Sequence, residues 1–258
     1  NQIPAFLLPR RQILWAARRA AGLITVCQSL KEKLIDLGIE SDKVTVLRNG
    51  VDLDHFQPRC RDMARRSFDV SGSVLLSVGA LIPRKGHDLV IRAMVELPGC
   101  TLLVAGTGPE RAALDELVRT LGLGDRVRFL GQVTQDRLPE LYSAADALVL
   151  ASSSEGWANV LLEAMACGTP AIATNVSGTP EVVTSPDAGI LIDDRTPAGI
   201  VQAALTLLGC PPDRLQTRAH AERFDWGATT RGQLDLFAAI LRRVPPASSD
   251  ALTSQAAH

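Results

Sequence analysis

From Val74 onward the chain alternates short apolar runs with helix-forming stretches, and this alternation restricts the fold more than any other feature of it. The runs are VLLSVG, TLLVAG, VRFLG, ALVLAS, AIAT and GILI. Continuous runs of that length, rich in Val, Leu, Ile and Ala, read as strands buried on both faces. The stretches between them, roughly 87–96, 109–121, 135–144, 159–167, 179–183 and 197–208, read as helices. Strands alternating with helices require right-handed crossovers and predict an α/β fold, a doubly wound parallel sheet of Rossmann type. Such sheets bind ligands beyond the carboxyl ends of their strands. Gly79, Gly106, Gly131 and Glu155 fall at or just past those ends and are expected on one rim.

The rest of the chain divides around this unit. Residues 1–47 read helix, strand (23–27), helix (29–37), strand (44–47), a piece of a second α/β domain. A polar linker is expected over 48–73 and the main domain over 74–212. C-terminal helices are expected over 213–244, as two segments, 213–224 and 227–243. Residues 245–258 are rich in Ser, Ala and Pro and are expected to be disordered. The sequence opens on Asn1 rather than Met, as a fragment or processed product would.

Composition removes several function classes. With 46% hydrophobic residues in 258, there is enough apolar material for one good core and part of another. A net charge of −1 argues against a nucleic-acid partner. The five cysteines (27, 60, 100, 167, 210) lack ligand spacing, and Cys27, Cys100 and Cys167 sit in or beside apolar runs. They read as reduced core residues of a cytoplasmic protein. The four histidines are scattered, so no metal is expected. No apolar run reaches the roughly 18 residues a membrane span needs, and no signal-peptide pattern is present.

The chemistry concentrates in SSSEGWANVLLEAMACGTPAIAT, residues 152–174. Val160 to Cys167 reads as a helix stopped by Gly168, entered through Gly156, Trp157, Ala158 and Asn159, with Asn159 a candidate N-cap. Glu155 lies just before that helix and Glu163 about one turn inside it. On a fully helical path they would stand roughly 12 Å apart. That exceeds the spacing of about 5 to 9.5 Å used by hydrolytic carboxylate pairs. It suits two carboxylates holding hydroxyls at opposite ends of a long ligand, with a diphosphate between them at the helix N-terminus. A nucleotide sugar has that shape.

EGWANVLLEAMACGTPAIAT resembles the E-x7-E signature of the family 4 retaining glycosyltransferases, which have the two-domain GT-B fold. VTVLRNGVDLDHFQP (44–58), LLSVGALIPRKGHDLVIRAM (75–94), TLLVAGTGPERAAL (101–114), VRFLGQV (127–133), LPELYSAADALVLAS (138–152) and GTPEVV (178–183) follow in the family order, and together the likeness covers about 20–240. The resemblance implies a donor-binding C-terminal domain with the end of an acceptor-side N-terminal domain. It implies that Glu163 holds the donor ribose and Glu155 the transferred sugar. Lys85 would hold the diphosphate with backbone N–H groups near Ala158, Asn159 and Val160, and Gly131, Gln132 and Val133 would face the base. Gly79, Arg84, Gly156 and Trp157 complete the expected donor site. The family needs no bound metal, so no cofactor is expected beyond the nucleotide sugar. The acceptor is open: lipid, polysaccharide or small metabolite. Where the family often has an arginine after the strand glycine, this chain has Ala80. A nucleotide-sugar epimerase on the same fold, a glycogen-synthase-like polymerising enzyme and a non-catalytic binding fragment are the alternatives. The last helix is expected to cross back to the N-terminal piece.

Other motifs carry less. Gly106-Thr107-Gly108 begins a dinucleotide fingerprint, but its sixth position is Arg111 rather than Gly, which argues against nicotinamide or flavin. It reads better as a strand-to-helix turn with Pro109 near the first helical position. Asn49-Gly50 reads as a turn, which the resemblance would make the interdomain hinge. Thr179-Pro180-Glu181 reads as a helix start capped by Thr179. Arg10, Arg11, Arg18 and Arg19 with Leu14 and Trp15 read as a solvated helix face, with peripheral contact to an anionic inner membrane face the alternative.

Overall fold

The computed structural model describes residues 7–243; the expected disorder of 245–258 lies outside them. The N-terminal piece runs α1 (Leu7–Arg19), β1 (Leu23–Thr25), α2 (Gln28–Asp36) and β2 (Val44–Val46). Its two strands pair in parallel, Leu23 opposite Val44, as a sheet of their own. Next comes α3 (Arg61–Ser67), inside the segment expected as linker. Its helical signal is masked by charge in RCRDMARRS, where Ala64 is the buried helical position. Asp146 draws this helix in, accepting from Arg61, from Arg65 at 2.6 Å and from the Val74 backbone N–H at 2.7 Å.

Among the described residues the main sheet has β3 (Ser73–Val78), β4 (Cys100–Ala105), β5 (Val127–Gly131), β6 (Ala147–Leu150), β7 (Ala171–Thr174) and β8 (Gly189–Ile192). All pairs are parallel, in the order β5-β4-β3-β6-β7-β8. The chain starts centrally at β3, walks outward to β5, then returns to build β6 on the other side of β3. The winding reverses between β3 and β6, which opens a crevice beyond their carboxyl ends.

The crossover helices are α4 (His87–Ala93), α5 (Arg111–Thr120), α6 (Leu138–Ala144), α7 (Asn159–Ala166), α8 (Thr179–Val182) and α9 (Pro197–Gly209). Successive strand residues point to opposite faces. Leu76, Leu103 and Leu148 therefore enter one core with Tyr142, Leu161 and Met165, while Leu75, Leu102 and Val149 enter the other with Ile91, Leu114 and Ile200. Each such fully buried side chain contributes about 1.5–3 kcal/mol. Cys27, Cys100 and Cys167 are buried and unbridged, as expected of core cysteines.

Two helices close the fold, α10 (Arg214–Ala221) and α11 (Trp226–Arg243). Arg218 donates to the Ala166 carbonyl at 2.7 Å, placing a cation at the C-terminus of α7. Arg214 reaches Thr169 Oγ1 at 2.6 Å and the carbonyl of Ala145 at 3.0 Å, and burial lowers its pKa to about 10. α11 lies along the N-terminal piece. A methyl group on Gly22 would meet Ile240 Cδ1 at 3.2 Å, and one on Gly232 would meet Leu47 Cδ2 at 2.5 Å.

Three local expectations are corrected. Asn159 is the first residue of α7 rather than its cap; Ala158 occupies the cap without a side-chain bond. The Asn159 side chain instead accepts from Asn49 Nδ2 at 3.4 Å. Thr179 begins α8 while Gly178 caps it, and Thr179 Oγ1 is buried without a partner. Pro109 precedes α5, whose cap is Glu110; the Glu110 N–H is held by the Leu81 carbonyl at 3.0 Å.

Candidate functional site

The crevice between β3 and β6 is where Gly79, Arg84, Lys85 and Glu155 meet. Beyond β3 the backbone runs through Gly79 into a 3-10 turn, Pro83–Lys85, and then Gly86. Gly86 has φ +68°, and a Cβ there would lie 2.2 Å from the Ala151 carbonyl oxygen, so only glycine lets the turn press against the end of β6. The turn aims Lys85 back across Gly79, where a Cβ would touch Lys85 Cε at 3.5 Å. Lys85 Nζ then donates to Glu155 Oε1 at 2.6 Å.

Glu155 is held from several sides. Ser152 Oγ donates to the same Oε1 at 2.6 Å, and Arg84 stands 3.8 Å from Oε2. The Glu155 side chain is 8% exposed, so these cations compensate a carboxylate largely removed from water. Arg84 serves mainly as a brace, donating to the Ser154 carbonyl at 2.6 Å while its own carbonyl takes the Ser153 N–H at 2.9 Å. Thr174 Oγ1 to the Ser152 carbonyl (2.5 Å) and Arg195 Nε to the Ala151 carbonyl (2.8 Å) fix the loop from beneath.

Glu163 sits one turn inside α7. Its Oε2 accepts from the Tyr142 hydroxyl at 2.7 Å. Burial raises the Glu163 carboxyl above its ordinary range, against the opposing pull of that hydrogen bond and of the nearby His55. Burial, then the Glu163 charge, pushes the Tyr142 phenol well up.

The third part of the rim is the turn after β5. Gly131 has φ +68°, and its carbonyl accepts from the Gly106 N–H at 2.7 Å. Gln132 is exposed; it and Val133 line a cleft of about 420 Å³ with Phe68, Leu130, Thr134 and Arg137. Gly106 ties this turn to the first loop, since a Cβ on it would lie 1.8 Å from the Gly79 carbonyl oxygen.

The structure thus brings Gly79, Arg84, Lys85 and Glu155 into one cluster. Glu163 and the turn Gly131–Val133 stand in their own places along the same rim. Trp157, Ala158 and Val160 are turned otherwise. Trp157 and Ala158 are buried, and the Trp157 ring packs on Phe224 with centroids 6.0 Å apart. Val160 packs half-buried against the same core. The Asn159 N–H is already used by the Trp157 carbonyl at 3.1 Å. Gly156 faces the N-terminal piece, where a Cβ would lie 3.5 Å from Leu30 of α2. Ser152, Thr174, Arg195, Tyr142 and His55 are not singled out by the sequence. Ser152 belongs to the polar run before Glu155, but nothing local marks Arg195, which acts from beyond β8. Among the described residues no group of three or more His, Cys, Asp or Glu could hold a metal ion. No helix there is long and apolar enough to cross a membrane.

Comparison with known proteins identifies the family and the fold. The family model described as "Glycosyl transferases group 1" matches residues 61–224, well over half the chain, and "Glycosyltransferase Family 4" matches residues 3–55. The chain belongs to the family 4 glycosyltransferases. Among the curated relatives of this family 4 chain, the D-inositol 3-phosphate glycosyltransferase of Acidothermus cellulolyticus is 34% identical over 96% of the chain and 60% of the relative. The enzyme of the same name from Mycolicibacterium smegmatis is 35% identical over 81% of the chain and 51% of the relative. The chain therefore spans between about half and three fifths of the length of these relatives. Among solved structures, sucrose-phosphate synthase from Thermosynechococcus elongatus superposes with a TM-score of 0.84 at 28% identity, over 93% of this chain and 64% of that one. Anabaena Alr3699/HepE, solved with UDP-glucose, superposes with a TM-score of 0.83 at 23% identity, over 91% and 69%, and so shares the GT-B fold.

Proposed function

We propose that this chain carries the donor site of a glycosyltransferase that moves a sugar from a nucleoside diphosphate to an acceptor, with retention of anomeric configuration. The observation that carries the reading is the Lys85–Glu155–Ser152 cluster at the point where the sheet reverses, beside the N-terminus of α7 with Glu163 one turn inside it. In chain order the helix N-terminus falls between the two carboxylates, and the cation rests on the first of them. That order matches diphosphate between sugar and ribose.

In this reading Lys85 does two things. An ammonium has three donors; one is spent on Glu155, and the others are available to a phosphate oxygen. As the glycosidic bond breaks, negative charge grows on the departing diphosphate. Lys85 and the N-terminal end of α7 stabilise it without reorganising. Glu155, fixed by Ser152 and Lys85, presents its carboxylate to hydroxyls of the transferred sugar. Glu163 accepts from the ribose, and the turn Gly131–Val133 borders the base. No metal enters this scheme. Retention follows the family expectation, and the anomeric coupling constant of the first product formed would read it directly.

A thermal-shift panel of UDP, GDP, ADP and TDP against the chain and its Glu163→Ala variant tests the donor site. A diphosphate at 100 times its Kd adds about 2.7 kcal/mol of stability. Stabilisation by one diphosphate, lost in the variant, is the expected result. A variant stabilised as strongly as the parent would remove Glu163 from the site, and no response from any of the four would defeat the donor-site reading for this chain.

A further inference from the structure

We infer that His55 is a second ribose-recognition residue, its Nδ1 accepting one hydroxyl of the nucleotide diol while Glu163 takes the other; the inference rests on the donor site proposed above. His55 lies in NGVDLDHF, where sequence reasoning found only a turn and a hinge.

The turn is built to hold this ring in place. Asp52 Oδ1 accepts from the N–H groups of Asp54 and His55 at 3.1 and 3.0 Å, and the Asp52 carbonyl accepts from the Phe56 N–H at 2.8 Å. Phe56 is buried beside Tyr142, with ring centroids 6.1 Å apart, and anchors the turn to the main domain. The His55 ring stands edge-on to Phe56 at 4.8 Å. Its Nε2 lies 3.0 Å from the Gln135 carbonyl, just past the turn Gly131–Val133. A carbonyl only accepts, so Nε2 carries the hydrogen, and in the neutral ring Nδ1 is left as a lone-pair acceptor.

Glu163 supplies the reason for a second acceptor. Its Oε2 already serves the Tyr142 hydroxyl. A ribose diol brings two O–H donors, while Oε1 is the Glu163 oxygen not engaged by Tyr142. Phe56, next to His55, packs on Tyr142, whose hydroxyl donates to Glu163, and Gln135 follows the turn assigned to the base, so His55 is tied to both ends of the ribose position. Both backbone and ring are fixed, and the ring is half-buried, so little entropy is lost when a hydroxyl docks.

Isothermal titration of the 258-residue chain tests this, using the diphosphate selected by the panel in its ribose, 2′-deoxy and 3′-deoxy forms. The proteins are the parent, His55→Phe and Glu163→Ala, with melting curves to verify folding. The parent should bind one deoxy form about tenfold more weakly than the ribose form. His55→Phe should lose about the same factor with the ribose form and discriminate no further against that deoxy form. Should His55→Phe lose folding, His55→Leu, which has no polar side-chain atom to accept a hydroxyl, takes its place with the same expectation. A His55 variant that binds the ribose form like the parent, or that keeps the parent's discrimination against both deoxy forms, overturns the inference while a response to Glu163→Ala leaves the donor site standing. A parent that binds no diphosphate overturns both.

Discussion

In the proposed donor site Lys85 links the diphosphate to the carboxylate that faces the transferred sugar. Its ammonium rests on Glu155 at 2.6 Å, so truncation removes a phosphate contact and also leaves a buried carboxylate short of a partner. Lys85→Ala is expected to weaken nucleoside diphosphate binding ten- to a hundredfold, since a hydrogen bond to a charged group is worth about 1.5–3 kcal/mol. The parent nucleoside, which lacks the phosphates, should bind both proteins alike. Calorimetry with the two ligands checks this, and an equal loss for both would assign Lys85 to folding alone. Glu155 and Glu163 are legible as candidates because their spacing around the start of α7 is local, and Lys85 because the turn after β3 resembles the family motif. Arg84 was legible as a cation but not in its role: its guanidinium meets Ser154, seventy positions on, and no local pattern reports that. Tyr142 and His55 were illegible for the same reason, since each acquires meaning only when α6, α7 and the turn after Asp52 pack together.

At the scale of elements, helix and strand positions followed from periodicity, and the exceptions have identifiable causes. α3 was missed because its exposed face is Arg-rich and its buried face small. The caps of α7 and α8 were misassigned because Asn159 and Thr179 are good cap residues placed one position too late. α2 has a more unusual start. Cys27 caps it without a side-chain bond, and the Gln28 N–H is satisfied instead by Glu181 Oε1 at 2.7 Å, from α8. Glu181 Oε2 is in turn gripped by Arg48 Nε at 3.0 Å, at the end of β2. One carboxylate therefore ties α2, β2 and α8 together, a link between the N-terminal piece and the main sheet. Glu181→Ala is expected to cost about 1 kcal/mol, the usual value of a lost cap, and to speed hydrogen exchange at the first amides of α2. Unchanged exchange there would show that α2 does not depend on the link.

At the scale of the whole molecule, stability should vary with pH through a buried histidine. His87 is buried, accepting from the Ser77 hydroxyl at Nδ1 (2.9 Å) and donating from Nε2 to the Ala80 carbonyl (3.2 Å). Burial lowers its pKa below 6.5, with Lys85 acting in the same direction and Asp88 against it. The unfolded chain therefore binds more protons than the folded one in this range. The stability His87 contributes is complete above about 6.5 and is lost as pH falls toward the lower folded value. Glu163, whose carboxyl is raised, runs in the opposite sense, losing its contribution as pH rises above the ordinary carboxylate range. Urea midpoints of the parent and His87→Gln, compared at pH 7.5 and 5, isolate the histidine: the parent should fall more steeply. Equal slopes would mean that the ring is not held neutral.

The parallel sheet also sorts the surface for use at the bench. Every strand of the main sheet delivers its carboxyl end to the rim of the proposed donor site, so the opposite rim is left to simple connections. Gly99 and Gly124, before β4 and β5, have nothing within 4 Å of an added Cβ. With the exposed Cys60 and Cys210 replaced by serine, a cysteine placed at either glycine could carry a fluorophore or tether the protein to a sensor chip, with the proposed donor side still open to solution.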